Sequence, residues 1–459
     1  MHRSRSVGKT LSCFFDEEET IDQLPGFHHL GQHQSHRRSL DTILSAKTFH
    51  NPLLSPNCSP LLTPSPRSMW SFSPACTPSQ PPLFHHCVSS RRRDGNILSV
   101  VVSKGLVLTG SSSTCIRAWR PLTISESGYI QVSSGEVRAM LSHDDLLFTS
   151  HKDCRIRVWN TASCATNFSP RKITTLPKPS PLRFITSKTR ALQHKDIISC
   201  MAYNGPEGVL YTGSWDKTVK AWRLSDRKCI DSFVAHADNI NDMVINRDGY
   251  LFTCSSDGSV KMWSQVCGET FHTLTMTLSF LPFPTYALAL HEKTGSHESL
   301  LYSGSSDGCL NLWDRKISGG YGHVGSIHAH QFAVLCLTVL DGMVISGSAD
   351  STIKIWKREG DKTHHCLAVL DGHRGPVKCL AASIENDPSD EKGFLVFSSS
   401  LDHTFKVWKV EVMPEMNRTW FDLGDADYVS HREKECEESP VLSPSWVKKV
   451  QLGRISVSN

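Results

Sequence analysis

A segment that ends in tryptophan recurs seven times along this chain and constrains its fold more than any other feature. Aligned on that residue, the copies read LTGSSSTCIRAW, FTSHKDCRIRVW, YTGSWDKTVKAW, FTCSSDGSVKMW, YSGSSDGCLNLW, ISGSADSTIKIW and FSSSLDHTFKVW. The tryptophans are Trp119, Trp159, Trp222, Trp263, Trp313, Trp356 and Trp408, at spacings of 40, 63, 41, 50, 43 and 52 residues. A fixed period of this size indicates a repeat architecture in which each copy is one supersecondary unit.

The pattern within each copy predicts β-structure. A short apolar run, a turn and a run of alternating apolar and polar residues precede each tryptophan, and alternation with a period of two is typical of half-buried strands. A period of about 40 to 45 residues matches one four-stranded propeller blade. The sequence therefore predicts an all-β, seven-bladed β-propeller over residues 84–412, with insertions in three of the connections.

Two polar positions accompany the tryptophan. A hydroxyl residue stands ten residues before it in all seven copies, and an aspartate stands six residues before it in every copy except the first, which has Ser113. Aspartate suits a tight turn because its carboxylate bonds nearby backbone amides. We expect the hydroxyl, the carboxylate and the indole N–H to satisfy one another between strands.

A histidine lies upstream of the first strand in four copies, and with it the pattern resembles that of the WD40 repeat family. The resemblance implies a hydrogen-bonded tetrad in each complete blade. Those tetrads are His194, Thr212, Asp216 and Trp222; His236, Thr253, Asp257 and Trp263; His330, Ser346, Asp350 and Trp356; and His373, Ser398, Asp402 and Trp408. Copy one has Arg93 and Ser113, copy two has Ser133, and copy five has Phe283 at the histidine position, so we expect these three blades to depend more on apolar packing and to be less rigid.

Within that family, the chain is similar to the Jingubang-like WD40 proteins of plants. The similarity is carried by the Pro/Ser-rich head, the segments SGEVRAML and VAHADNIN, and a basic insertion before copy three. It covers residues 84–410 well and the two ends poorly. It implies a scaffold in signalling or transcriptional regulation.

The two ends of the chain differ in composition from the repeats. Residues 1–83 are rich in Ser, Pro and His, so we predict disorder there, and we expect the tail, 413–459, to be flexible. Proline follows Ser55, Ser59, Thr63, Ser65, Ser73, Thr77, Ser439 and Ser443. These sites indicate either ordinary low-complexity sequence or an arm regulated by phosphorylation. We predict that Phe84–Ser90 closes the ring as the outer strand of the seventh blade, because an open sheet edge would promote aggregation.

Composition sets limits on the partners. A net charge of +4 over 459 residues does not require nucleic acid or a membrane surface as a partner. The basic insertion, residues 160–193, is either a solvated loop or a site for an acidic partner. The sixteen cysteines include no CxxC pair, so we expect no metal or other cofactor. We expect a cytoplasmic or nuclear protein that binds no small-molecule substrate, associates with no membrane, makes no direct contact with nucleic acid and is a monomer.

Catalysis would have to use the histidine–aspartate pairs, which are common acid/base groups. These pairs recur at fixed offsets in successive copies, whereas an active site is built once. We therefore interpret them as structural hydrogen bonds and predict that the protein is not an enzyme.

Binding to other proteins or peptides is the predicted function. In the family that the chain resembles, contacts come from the residues that flank the start of each first strand and from the residue before the turn aspartate. The candidates at these positions are Trp215, Arg138, Lys152, Tyr286, Leu288, Asn239, Asn241, Leu335, Lys378 and Leu401. Trp215 is either a recognition anchor, because tryptophan is enriched at binding hot spots, or a neighbour-packing residue. Its basic and aromatic surroundings suit an acidic or phosphorylated partner.

The fifth copy offers a second function. Asp307, Trp313, Asp314 and Lys316 match the spacing of a box found in the WD40 substrate receptors of cullin ubiquitin ligases. Most of that box is ordinary repeat sequence. The ligase-receptor function is therefore kept as the alternative.

Overall fold

The computed structural model describes residues 9–10, 72–73, 83–91 and 95–412, except for 122, 133–134, 163–167, 179–191, 267, 281, 294, 296–297, 318, 360–362 and 385–392. The described chain is an all-β propeller of seven sheets. Each sheet is one blade. Five of the sheets are built only from four strands that follow one another in sequence, and the other two also include strands from residues 9–91.

The strands that precede the first blade are β1 (Lys9–Thr10), β2 (Phe72–Ser73) and β3 (Leu83–Arg91). Blade one comprises β4 (Ile97–Ser103), β5 (Leu106–Ser111), β6 (Cys115–Arg120) and β7 (Ser125–Gln131). Blade two comprises β8 (Val137–His143), β9 (Leu146–His151), β10 (Ile156–Asn160) and β11 (Arg171–Leu176). Blade three comprises β12 (Ile198–Asn204), β13 (Val209–Ser214), β14 (Thr218–Arg223) and β15 (Lys228–Val234).

Blade four comprises β16 (Ile240–Ile245), β17 (Leu251–Ser255), β18 (Ser259–Gln265) and β19 (His272–Phe280). Blade five comprises β20 (Thr285–Glu292), β21 (Ser299–Ser305), β22 (Cys309–Arg315) and β23 (Tyr321–His328). Blade six comprises β24 (Val334–Leu340), β25 (Met343–Ser348), β26 (Ile353–Glu359) and β27 (Thr363–Leu370). Blade seven comprises β28 (Val377–Ile384), β29 (Gly393–Ser400) and β30 (Thr404–Val412), completed by β3 from the other end of the chain.

The first strands of successive blades contact one another around the ring, and β28 contacts β4. Main-chain hydrogen bonds also close the ring, because β3 pairs antiparallel with β30 over its whole length, from Leu83 opposite Val412 to Arg91 opposite Thr404. The clasp predicted for Phe84–Ser90 is confirmed. The edge of β30 is therefore paired rather than exposed.

Seven clusters of buried apolar side chains hold the described blades together, and each lies between two successive blades. In each cluster, the tryptophan of one blade packs on the side chains of the preceding blade. Trp222 of blade three, for example, packs with Phe148 and Ile156 of blade two. Because Trp119 of blade one packs on Phe405 of blade seven, the same contact also seals the ring.

Every first strand begins with a β-bulge. The register against the second strand shifts just after the opening residue, as between Ile198 and Cys200 in blade three and between Thr285 and Ala287 in blade five. A bulge adds one unpaired residue and re-aims the side chains that follow it. Its position therefore decides which residues at the top of each first strand reach the surface.

The predicted disordered and flexible ends, 1–83 and 413–459, lie almost entirely outside the described residues. Within the head, β1 pairs antiparallel with β28 and β2 pairs in parallel with β23, so these two short segments are strands. Ser73 belongs to β2, whereas Ser55, Ser59, Thr63, Ser65, Thr77, Ser439 and Ser443 lie outside the described residues.

The clasp predicts a sharp difference between two truncations. Deleting residues 1–80 spares β3 and should leave the denaturant midpoint nearly unchanged. Deleting residues 1–92 removes β3, exposes the edge of β30, and should cause unfolding or aggregation. Chemical denaturation and light scattering would measure both, and equal stability of the two truncated proteins would contradict the clasp.

Candidate functional site

We call the side of the ring that carries the loop before each first strand, and the turn between the second and third strands, the upper face. Four tetrads lie beneath it, as predicted. In blades three, four, six and seven the indole N–H donates to the hydroxyl over 2.8 to 3.0 Å. The hydroxyl lies 2.7 to 2.9 Å from histidine Nε2, and Nδ1 lies 3.0 to 3.1 Å from the aspartate.

Neutral histidine satisfies each of these hydrogen bonds. An indole N–H can only donate, so the hydroxyl accepts from it; with the proton on Nδ1, Nδ1–H donates to the carboxylate and the hydroxyl donates to Nε2. Burial is the largest influence and lowers the pKa of His194, His236, His330 and His373, although the aspartates act in the opposite direction. Burial alone would raise the pKa of Asp402, but hydrogen bonds from Thr404, Arg374 and His373 lower it to about 2.

Blade two rebuilds its network from a different histidine. Ser133, which replaces the upstream histidine, lies outside the described residues, but His151 in the second strand places Nε2 2.8 Å from Thr149, which also accepts from Trp159. Burial, followed by the charge of Arg157, lowers the pKa of His151 to about 3. Blade two therefore keeps a histidine–hydroxyl hydrogen bond through His151 although it lacks the upstream histidine, and its greater dependence on apolar packing stays a prediction.

The bulge register corrects two predictions in blade five. Thr285 opposes Ser305 in the way that Ile198 opposes Ser214, so the first strand starts at Thr285 and the histidine position falls on residue 281, outside the described residues. Phe283 lies two positions later. The predicted binding residue Leu288 lies deeper in the strand, is fully buried and packs with Trp313.

The other predicted binding residues divide into two groups. Three are buried: Arg138, which pairs with Glu136; Tyr286, whose pKa burial raises to about 12; and Asn241. The amide of Asn241 donates to the carbonyl of Thr285 over 2.8 Å, so it joins blades four and five. Lys152 is exposed, and the half-exposed members are Trp215, Asn239, Leu335, Lys378 and Leu401.

Trp215 is half-buried at the tip of the turn in blade three. Its backbone amide donates to the carbonyl of Ile197 over 3.0 Å, which fixes the turn. Its indole nitrogen is buried and has no hydrogen-bond partner among the described residues. A partner could therefore contact the ring of Trp215 rather than its N–H group.

Most residues of the box in the fifth copy make contacts within the propeller. Asp307 accepts from Ser305 and from the amide of Cys309, and Trp313 donates to Ser303 over 3.1 Å. Asp314 lies 3.6 Å from Arg358 of blade six, and Lys316 is exposed. The ligase-receptor alternative therefore rests on Lys316 and on the sequence match alone.

Comparison with known proteins agrees with this geometry. The family model described as "WD domain, G-beta repeat", WD40, matches residues 186–223, 227–264, 285–314, 322–357 and 364–409, which lie in blades three to seven. Blades three to seven are therefore repeats of the WD40 family. The tetrads of this WD40 protein are accordingly the structural signature of its repeats.

Several proteins are similar to this WD40 protein over part of their length. Mitochondrial division protein 1 of Saccharomyces cerevisiae (strain YJM789) is 35% identical over 133 residues, which are 26% of this chain and 18% of the relative. Telomerase protein component 1 of Rattus norvegicus is 22% identical over 68% of this chain and 11% of the relative. Protein tipD of Dictyostelium discoideum is 25% identical over 48% of this chain and 33% of the relative. The matched region thus spans at most about a third of each relative.

Within the described ranges of the WD40 protein, no helix has the length and apolar character needed to cross a membrane. The same ranges contain no group of three or more histidine, cysteine or acidic residues arranged to hold a metal ion. Nine of the cysteines described there, from Cys115 to Cys379, are free thiols.

The tetrads predict a graded cost of removing the turn aspartate. Asp350→Ala removes the carboxylate that His330, Thr352 and the amide of Gln331 share and should lower the free energy of unfolding by about 1 to 3 kcal/mol. Asp307→Ala is the matched control, because blade five has fewer bonds to its aspartate. Urea denaturation would measure both, and a larger loss for Asp307→Ala would contradict the tetrad interpretation.

Buried histidines predict a loss of stability in mild acid. Burial lowers the pKa of His364, which lies 3.0 Å from the Tyr302 hydroxyl, to about 4. Unfolded histidine takes up a proton near pH 6.5 while the folded residue stays neutral, so stability falls as the pH falls. Asp402, whose pKa is lowered, adds a loss only below about pH 4.

His364 should contribute about 1.4 kcal/mol of lost stability between pH 7.5 and 5.5. His364→Gln should make the pH dependence shallower by about that amount while keeping an acceptor for Tyr302. The measurement is urea denaturation of both proteins at the two pH values. Parallel pH profiles would show that His364 titrates normally.

Proposed function

We propose that this WD40 protein is a non-catalytic scaffold that binds other proteins through its upper face. The observation that carries the proposal is that the polar pairs are buried below that face while aromatic side chains lie at its surface. The four histidine–aspartate pairs are buried in tetrads, whereas Phe283 and Phe332 are exposed and Trp215 is half-buried at the turns and loops above them. Exposed aromatic residues on a rigid frame are typical of recognition surfaces.

The histidines are poorly suited to acid/base catalysis. A general base needs a free nitrogen within reach of a substrate proton, but in each tetrad both ring nitrogens are occupied, one by a hydroxyl and one by a carboxylate. The imidazole side chains of His194, His236, His330 and His373 are fully buried. Their repetition in four blades supports a structural role.

The assignment of a cellular process, a partner chemistry and a compartment rests mainly on the sequence. The similarity to Jingubang-like plant proteins supports a role in signalling or transcriptional regulation, and the basic residues Lys152 and Lys378 support an acidic or phosphorylated partner. The free cysteines in the described blades support a reducing compartment, the cytoplasm or the nucleus. We propose that the propeller acts as a monomer.

Substitution of Trp215 tests whether the upper face binds partners. Trp215→Ala removes a candidate hot spot, which typically costs roughly thirtyfold in affinity, and should reduce the recovery of partners in a pull-down from native cells. Because Trp215 lies outside the tetrads, the change should lower the free energy of unfolding by less than about 1 kcal/mol.

The control is Trp222→Ala in the same blade. It removes an indole that is buried and bonded to Thr212, and should unfold or insolubilise the protein. Unchanged partner recovery with Trp215→Ala would place the recognition surface elsewhere. A fall in melting temperature as large as that of Trp222→Ala would make Trp215 a packing residue.

A further inference from the structure

One position on the upper face can be compared in all seven blades. It lies two residues before the start of each first strand, and the bulge register makes it equivalent around the ring. In blade order the residues are Gly95, Gly135, Asp196, Asp238, Phe283, Phe332 and Gly375. Glycine and aspartate occupy five of the seven, so the blade does not need an aromatic residue there.

The backbone at this position is held in place. In blades three, four, six and seven its carbonyl accepts a hydrogen bond from a serine hydroxyl of the second strand, over 2.8 to 3.2 Å. In blade six the donor is Ser348 and the acceptor is the carbonyl of Phe332. The fold thus uses the main chain of Phe332 and leaves its side chain 60% exposed.

The two phenylalanines are neighbours across one turn. Phe283, 45% exposed, precedes Pro284, whose carbonyl accepts from the amide of Ser306 over 2.9 Å. On the other side of that turn, the carbonyl of Phe332 is 3.1 Å from the position that a Cβ on Gly308 would take. Phe283 and Phe332 therefore flank the turn at 306–308, and we call these two exposed side chains the apolar patch of blades five and six.

Cations lie beyond this patch, on blade seven. Arg374 is exposed and Lys378 is half-exposed, and neither side chain makes an ion pair with a described residue. Lys378 follows Val377, whose carbonyl accepts from the Cys336 thiol of blade six over 3.5 Å, so blades six and seven are joined at this point. Half-exposed Leu335 and Leu401 belong to the same two blades.

Carboxylates lie on the other side of the patch. Asp196 and Asp238, at the equivalent position in blades three and four, are exposed, although each accepts a bond from the next backbone amide. Exposed Lys195 and Lys217 lie near them, so this side is mixed in charge, whereas Arg374 and Lys378 of blade seven pair with no described carboxylate. The only carboxylate in the loop entering blade seven outside the tetrad is Asp371, which follows the outer strand β27.

We propose that Phe283, Phe332, Arg374 and Lys378 form a docking surface for a protein segment in which apolar side chains are followed by carboxylates. The apolar residues pack on the phenylalanines over blades five and six, and the carboxylates meet the cations of blade seven. Repulsion from Asp238 disfavours the reverse orientation, because bringing like charges together lowers the affinity of the reversed segment. The inference rests on the proposed function and identifies the chemistry of its partner.

Selection of random peptides displayed on phage against the full-length chain tests this assignment. The expected peptides combine large apolar residues with Asp or Glu on one side of them. Phe283→Ser with Phe332→Ser should abolish the enrichment of apolar residues. Arg374→Glu with Lys378→Glu should keep that enrichment and exchange the acidic residues for Lys or Arg. Phe271→Ser is the matched control, because Phe271 is 47% exposed before β19, outside the patch, and it should change nothing.

The strongest selected peptide, labelled with fluorescein, gives the affinity by anisotropy. Phe332→Ala should weaken its binding at least tenfold, and Lys378→Glu should weaken it more at low salt than at high salt. A selection that yields no consensus, or peptides without acidic residues, would overturn the proposal. So would displacement of the peptide by single-stranded DNA, which would indicate a nucleic-acid surface.

The same experiment separates this inference from the broader proposal. If Trp215→Ala abolishes partner recovery while the phenylalanine variants leave peptide binding unchanged, the upper face is the binding face and this docking surface is wrong. If neither set of variants affects binding, the proposed function itself fails. Circular dichroism melting of each variant establishes that the ring is intact.

Discussion

The indole of the repeated tryptophan is the contact on which the ring depends. Its N–H donates to a hydroxyl in its own blade, as from Trp222 to Thr212, and its ring packs on the preceding blade. One residue thereby fixes the spacing of strands within a blade and the packing between blades. Because the ring is closed, every blade both provides and receives this contact, including blade one on blade seven. The clasp of β3 on β30 adds main-chain hydrogen bonds at the same seam.

The tetrads extend this contact from the core to the upper face. Each carries a consistent chain of donors from indole to hydroxyl to imidazole to carboxylate, and the carboxylate then bonds the amides of its own turn, as Asp350 does with Thr352. Buried polar groups are costly unless they are satisfied. The network therefore stabilises the turns from below and leaves the outward side chains free for recognition.

In two blades the hydrogen-bond network uses other residues than in the four complete tetrads. Blade two recruits His151 from its own second strand, and blade five has a turn aspartate bonded to Ser305 and Cys309. Blade five also carries exposed Phe283, at the position where blade six has exposed Phe332. The blades differ most at the loops of the upper face, while their tryptophans and hydroxyls are kept in all seven, so the face can vary without loss of the ring.

The sequence by itself determined the all-β propeller, its seven blades, the four tetrads and the clasp, because these depend on periodic spacing and on residue types that have few alternatives in a strand or turn. The tertiary structure decided which residues reach the surface. A bulge of one residue at the top of each first strand shifts the faces that follow, and this placed Leu288 in the core and moved Phe283 out of the histidine position. It also buried Arg138 and Tyr286, whose types alone are typical of a binding rim, and brought His151 to a hydroxyl that sequence alignment had left without a histidine. Exposure depends on the packing of neighbouring blades, which no single repeat encodes.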